Sequence, residues 1–432
     1  MEKELREEIR KKVAEYYNEV LSKKQSHRIP ASGKVFDEKE MANAVDAVLD
    51  GVWTHGRFAL AFEKALSSFL GAKHCAITNS GSSANLLAAS VLFSPEVENH
   101  VRKGDEIITA AAGFPTTVNP VVQNGGVPVF VDIKGGTYNI DESLVEDAIT
   151  DKTRAIMTAH TLGNPFNLDK IMAICKKHGL FLIEDCCDAM GSKYRGKYVS
   201  TFGDLATFSF YPAHHITMGE GGAVVTNSDI LEKCAESIRD WGRDCWCMPG
   251  VDNTCGKRFS WKLGGLPEGY DHKYTYSRLG YNLKATDMQA AIGLAQLGKL
   301  PAFIEARKRN FDALRSALSE FDCLEFAESE PGAEPSWFGF IIRLKEECGF
   351  SREHLTCFLE KNGIVTRLVF AGNLTKQPYL SGGNIGYRIS GALEKSDIAM
   401  KNAFWIGVWP GITEHDISHI YETFRKFMGG AR

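Results

Sequence analysis

The stretch "NLDKIMAICKKHGLFLIED", Asn167–Asp185, holds a helical pattern followed at once by a short apolar run that ends on an acid. Four more short runs share that strand character: "HCAITNSG", "DEIITAAAGF", "VPVFVDI" and "TRAIMTAH". Helical patterns separate several of them, "SANLLAASVLF" after the first being one. Strand–helix alternation of this kind predicts an α/β layer fold with a largely parallel sheet. Ligands in such sheets sit at the carboxyl ends of the strands, which makes Asp185 a candidate site residue.

The 432 residues allow one large domain and a smaller one. Hydrophobic residues at 44% and charged residues at 24% are ordinary for a soluble protein. A formal net charge of −4 gives no reason to expect nucleic acid or an acidic membrane surface as partner. No apolar run approaches the roughly 20 residues needed to span a bilayer. The opening "MEKELREEIRKKVAEYYNEVL" is a charged amphipathic helix pattern, not a secretory signal, so a cytoplasmic protein is expected.

The expected organisation is a helical arm over residues 1–45, a large cofactor-binding domain over 46–295 and a small α+β domain over 296–432. Between about Asp240 and Tyr281 the periodicity fails in a segment rich in glycine, aromatics and cysteine. Irregular stretches of that length are usually functional or disordered, and the aromatic content argues against disorder. A helix pattern, "ATDMQAAIGLAQLGKLPAFIEARKRNFDALRSAL", follows it, and a last helix begins with Thr413 as N-cap.

Three separated pieces fit a pyridoxal-type cofactor. Ser80-Gly81-Ser82-Ser83 joins a strand to a helix, where backbone N–H groups can cradle a phosphate, although serine caps are also a common structural device. Asp185 can pair with a protonated pyridine nitrogen, or be a loop carboxylate. Ser209 ends another strand in "SFYPAHHITMGEGG", with His214 and His215 five and six residues on.

With "SGSSANLLA", "FPTTVNP", "AHTLGNP", "IEDCCDAMG" and "LGYNLKATDMQAAIGLAQL", that strip makes the chain from about Val52 onward resemble the DegT/DnrJ/EryC1/StrS sugar aminotransferases of the aspartate aminotransferase (type I) fold. The resemblance implies that Ser82, Ser83 and Ser209 bind the cofactor phosphate, Phe114 stacks on the ring and Asp185 holds its nitrogen. It also implies that His160 lies near the ring and that Asn282 reaches the cofactor phosphate of a neighbouring subunit in a homodimer. Two departures stand out. Asp188 occupies a position where the family has Gln or His, and His214 aligns with the family's cofactor-binding lysine, His215 being adjacent.

Imidazole cannot form the stable imine that lysine forms, so the expected cofactor is the amine, pyridoxamine 5'-phosphate. It needs no covalent anchor and can condense with a substrate ketone. A histidine beside it can act as general base at the cofactor's C4′ carbon, which favours loss of a β-hydroxyl over amino transfer. A catalytically dead aminotransferase kept as a binding sensor is the competing reading.

Of the eleven cysteines, Cys75, Cys175, Cys234, Cys323 and Cys357 read as filler. Cys187, Cys245, Cys247 and Cys255 follow a spacing that is not the ribbon pattern of structural zinc. Spacing alone leaves no metal, zinc and iron–sulfur open. Together with the histidine strip, the pattern resembles pyridoxamine-phosphate and [2Fe–2S]-dependent 3-dehydrases acting on CDP-4-keto-6-deoxyglucose. The resemblance implies the four cysteines as cluster ligands, Cys186 competing with Cys187, and His214 as base. It implies a CDP-4-keto-6-deoxyhexose substrate and electrons from an NADH-dependent flavin iron–sulfur reductase. Tyr211 is a candidate to interact with the reacting cofactor or simply to pack on its edge. Phe338 and Phe340 are candidates for the pocket wall. Cluster-free dehydratases of GDP-4-keto-6-deoxymannose also replace the lysine, and the cysteine pattern speaks against that alternative.

Overall fold

Phe181–Asp185 forms a strand near the middle of an eight-stranded sheet, in a computed structural model that describes residues 1–23, 28–247 and 251–430. The strands lie in the order His74–Thr78, Gly222–Thr226, Leu205–Ser209, Phe181–Asp185, Thr153–Ala159, Glu106–Ala110, Val127–Val131 and Arg388–Ile389. Gly222–Thr226 runs antiparallel to both neighbours, and the remaining pairings are parallel. The predicted parallel α/β sheet is therefore present. Its last strand is two residues long, too short to leave a periodic signal.

Alternation along the strands splits the core in two. Ile108, Ile156 and Leu182 join one apolar cluster, while Ile107, Met157 and Ile183 join another. Successive side chains point to opposite faces, so both faces are covered, as parallel sheets require. The carboxyl ends of the parallel strands are left as the open rim.

The long helix pattern after Ala285 becomes two helices, Asp287–Leu297 and Leu300–Leu318. Pro301 sits in the first turn of the second, where its missing N–H is tolerated. A second sheet, antiparallel, orders Leu324–Phe326, Gly339–Leu344, Ala403–Gly407 and Arg367–Leu368 around a core holding Phe340, Phe404 and Phe424. Thr413 caps the last helix as predicted, its hydroxyl accepting the Asp416 N–H at 3.2 Å. Among the described residues, no helix is long and apolar enough to cross a membrane.

A buried carboxylate ties together the elements that lead to the cysteine-rich segment. Glu63 Oε1 accepts from the Arg239 guanidinium at 2.8 Å and the Ile77 N–H at 2.9 Å, with His55 Nε2 at 3.2 Å. Burial alone would raise this carboxyl, but Arg239 and His55 outweigh it and bring the pKa down to about 2. The unfolded chain therefore binds more protons than the folded one between about pH 4 and pH 2, and stability falls as pH drops through that window. Glu63→Gln strands the buried Arg239 and is expected to lose about 3 kcal/mol at neutral pH. In urea titrations the gap to the parent should close below about pH 4; a pH-independent gap would show that the carboxylate charge is not what stabilises.

Candidate active site

Where the strands end, a cavity of about 430 Å³ opens, lined by Gly81, Ser82, Phe114, Asp185, Cys187, Asp188, Ser209, Tyr211 and His214 among others. The expected residues that meet here come from five separate stretches of the chain: Ser82, Phe114, Asp185–Asp188, Ser209–His214 and Phe338. Among the described residues, no lysine lines the cavity.

One end of the cavity is the start of helix Gly81–Leu92. Ser80 caps it, its hydroxyl accepting the Ser83 N–H at 3.1 Å and donating to Ser83 Oγ at 3.0 Å. Ser83 is thereby drawn into the cap, and Ser82 and Ser209 line the cavity instead. Gly81 has to be glycine: a Cβ there would lie 2.4 Å from Ser209 Cβ. Free helical N–H groups flanked by two hydroxyls, with no side chain in the way, make a cradle suited to a phosphate.

The same helix fixes the other end. Asn85, three residues beyond Ser82 and so on the same face, donates to Asp185 Oδ2 at 2.9 Å. Thr117 donates to the same oxygen at 2.7 Å, and the Cys187 N–H donates to Oδ1 at 3.1 Å. Asn85 is itself oriented by the Thr207 hydroxyl at 2.6 Å. A carboxylate held by three donors in a buried setting keeps one orientation, with lone pairs left for a cationic N–H. Phe114 and Tyr211, each about half exposed, stand at the mouth. Phosphate cradle, oriented carboxylate and aromatic face together fit a pyridoxal-type cofactor.

The two histidines part company. His214 lines the cavity, its Nδ1 3.4 Å from Asp188 Oδ1 without hydrogen-bond geometry, its ring 5.1 Å from Phe338. His215 turns away and sits 2.8 Å from the Ser336 carbonyl through Nε2. Burial drives the His214 imidazole down to about 3, and the Arg307 guanidinium acts in the same sense. Burial also raises the Asp188 carboxyl to about 8, with the Asp185 charge adding to it. At neutral pH the pair therefore rests as neutral imidazole beside neutral carboxyl.

Arg307 is the buried anchor of this wall. It donates to the Trp337, Phe338 and His214 carbonyls at 3.1, 3.4 and 3.3 Å. Nothing local in the sequence marks Arg307, because its partners lie 30 and 93 positions away. Asn85 and Thr117 did leave a signal, being polar residues inside the helical strips around the predicted phosphate and ring contacts.

Four further expected residues stand outside the cavity. His160 does not line the cavity: it is fully buried behind the wall, stacked on Phe166, with Glu184 Oε2 3.1 Å from Nε2 and the Phe166 N–H on Nδ1. Phe340 packs in the second core and leaves the wall to Phe338. Cys357, expected as buried filler, is exposed. Asn282 is exposed and bridges Asp240, away from this cavity.

The cysteines fall into two places. Cys187 lines the cavity, whereas Cys186 is buried beside Glu184. Cys245 and Cys247 line a second cavity with Glu63, Arg239 and Lys284. In the same segment the Cys247 N–H points to Cys245 Sγ, the Thr254 N–H to Cys247 Sγ and the Lys257 N–H to Cys255 Sγ, each at 3.4 Å. Burial opposes ionisation of Cys247, but the Thr254 hydroxyl and N–H prevail and lower its thiol. Donors aimed at three neighbouring sulfurs suit thiolate ligands of a metal centre, three from this segment and one short of four. Residues 248–250, between Cys247 and Cys255, lie outside the described residues.

Comparison with known proteins agrees with this geometry. The chain is 56% identical over 431 residues, 98% of each protein, to the lipopolysaccharide biosynthesis protein RfbH of Salmonella typhimurium. It is 54% identical to the dTDP-4-dehydro-2,6-dideoxy-D-glucose 3-dehydratase of Saccharopolyspora spinosa, over 93% of this chain and 86% of that one. The solved structure of an E. coli GDP-4-keto-6-deoxy-D-mannose-3-dehydratase with bound hydrated PLP superposes with a TM-score of 0.83 at 30% identity, covering 92% of this chain and 100% of that one. The expected fold of PLP-dependent aminotransferases is thus present. Residues 35–425 match the family described as DegT/DnrJ/EryC1/StrS aminotransferases, and the chain belongs to that family.

Proposed function

We propose that the chain is a 3-dehydrase of nucleotide-linked 4-keto-6-deoxyhexoses that works with pyridoxamine 5'-phosphate. One observation carries the reading: His214 faces a cavity fit for the cofactor, at the place of the family's lysine, and among the described residues no lysine lines that cavity. Two relatives named as 3-dehydratases of nucleotide 4-keto sugars, one of them with bound hydrated PLP, support it.

Bound as the amine, the cofactor supplies a nitrogen for the substrate ketone and a ring that accepts electrons. Ser82, Ser209 and the helix start would hold its phosphate, Asp185 its ring nitrogen and Phe114 its face. His214 takes the proton from C4′, its neutral imidazole being the form able to accept it. Asp188 Oδ1 lies 3.4 Å from its Nδ1, placed to face the charge that the ring gains. Tyr211 closes the mouth.

The finer reading adds a [2Fe–2S] cluster that Cys187, Cys245, Cys247 and Cys255 would hold and that would supply electrons singly. Removal of the C3 oxygen to leave a 3-deoxy-4-keto sugar takes two electrons, and a separate NADH-dependent flavin iron–sulfur reductase would provide them. The substrate expected first is CDP-4-keto-6-deoxy-D-glucose.

Anaerobically purified protein, given the cofactor and a reductant, should convert CDP-4-keto-6-deoxyglucose to its 3-deoxy product faster than the dTDP and GDP counterparts. Iron and acid-labile sulfide should be present in equal amounts. A C3 hydroxyl retained with all three nucleotides would overturn the dehydrase reading. Stable zinc without iron would remove its electron-transfer half.

A further inference from the structure

We infer that the metal centre is shared between two copies of this chain, Cys187 coming from one and Cys245, Cys247 and Cys255 from the other. The inference rests on the reading that these four cysteines hold an iron–sulfur cluster.

Within one chain the four thiols do not converge. Cys187 follows the fourth strand of the large sheet and lines the active-site cavity. The other three belong to a segment tied to the outer edge of the first strand. Arg239, at the end of the preceding helix, donates to the Ile77 carbonyl at 3.0 Å, and the Asn79 N–H donates to Leu283 beyond the segment at 2.7 Å. Three strand spacings separate the first strand from the fourth, about 14 Å. The cavity holding Cys245 and Cys247 shares no lining residue with the one holding Cys187. Cysteines that ligate one small cluster must lie within a few ångströms of it, so the fourth ligand is missing from the trio and the trio is missing from Cys187.

A second copy supplies both deficits at once. The cysteine-rich segment exposes Trp246, Phe259, Tyr274, Tyr276 and Leu279, the last at 91%. So many large apolar side chains left in water on one segment mark an interaction surface. The mouth of the active-site cavity offers a matching apolar rim in Phe114 and Tyr211, with Cys187 just inside. Two different faces on one chain that complement each other are satisfied in a closed two-fold dimer, where each contact occurs twice. Such a dimer would bring each trio to the other copy's Cys187 and seat the cluster beside the reacting sugar.

The test is a complementation experiment read by metal content. Two differently tagged chains, one Cys187→Ser and one Cys245→Ser/Cys247→Ser, are co-expressed, and the heterodimer is isolated anaerobically through both tags. With shared ligands, one of its two positions is complete and the other has lost both contributions. The heterodimer is then expected to carry about half the parent's iron and sulfide per dimer, with the parent's visible absorption, while each variant homodimer carries almost none. A metal-free heterodimer would place all four ligands in one chain and overturn the inference. So would full loading of the Cys187→Ser homodimer, or failure of the chains to associate. A parent protein without iron would instead sink the cluster reading itself, so the two failures are distinguishable.

Discussion

His214→Asn should lower the rate of dehydration by about 10²–10⁴-fold, the usual worth of a positioned general base. Cofactor affinity should stay within a few-fold of the parent, because none of the phosphate, ring-nitrogen or ring-face contacts involves this side chain. Asparagine fits the space but cannot accept a proton at neutral pH. The variant also leaves the fold in place: Arg307 bonds the His214 carbonyl, and the His214 N–H bonds the Tyr211 carbonyl, so both contacts survive the substitution. Exchange of the cofactor C4′ proton with solvent, followed by NMR, separates the base from a bystander. Loss of exchange with retained binding is expected; exchange at the parent rate would put the base elsewhere.

Asp185→Ala should have the opposite signature, losing the cofactor before any step is taken. The carboxylate is the shared acceptor of Asn85, Thr117 and the Cys187 N–H, all of them in the buried floor of the site. Removing it leaves those donors unpaired, at about 1–3 kcal/mol for each that finds no water. It also removes the counter-charge that keeps a pyridine nitrogen protonated. The expected result is at least a 100-fold loss of cofactor affinity and a lower unfolding midpoint. Asp185→Asn keeps the volume, so it should recover most of the midpoint while remaining inactive. If Asp185→Ala held the cofactor as tightly as the parent, Asp185 would not be its anchor.

The contrast between these two variants follows how the site could be read. Residues at strand ends were legible because a parallel sheet delivers them to one rim whatever the loops do: Asp185, Ser209 and the start of helix Gly81–Leu92 reach the cavity on that ground alone. His214 against His215 was not legible from spacing, since adjacent loop residues differ only in backbone direction. The difference comes from the Ser336 carbonyl that holds His215 Nε2. His160 misled for a related reason: the flanking Ala159 and Thr161 line the cavity, and the side chain between them packs behind the wall on Phe166.

The supporting residues were hidden because their meaning is tertiary. Arg307 reads as one charged position in a long amphipathic helix, yet it is 1% exposed and holds three carbonyls of the histidine wall. Asp188 was visible only as a departure from the family pattern. Its burial beside Asp185, and with it the neutral resting pair with His214, depends on the packing of the cavity floor. Spacing presented the four cysteines as a set, and the fold puts Cys187 in one cavity and Cys245 and Cys247 in another.

The chain's membership of an aminotransferase family makes one outcome decisive, since the same cavity with a lysine would transfer nitrogen. A single turnover of protein loaded with pyridoxamine 5'-phosphate, given CDP-4-keto-6-deoxyglucose and a reductant under anaerobic conditions, can be read by mass spectrometry of the sugar. The expected product has lost the oxygen at C3 and keeps the oxygen at C4. A sugar carrying nitrogen at C4, with the cofactor recovered as the aldehyde, would contradict the proposed chemistry.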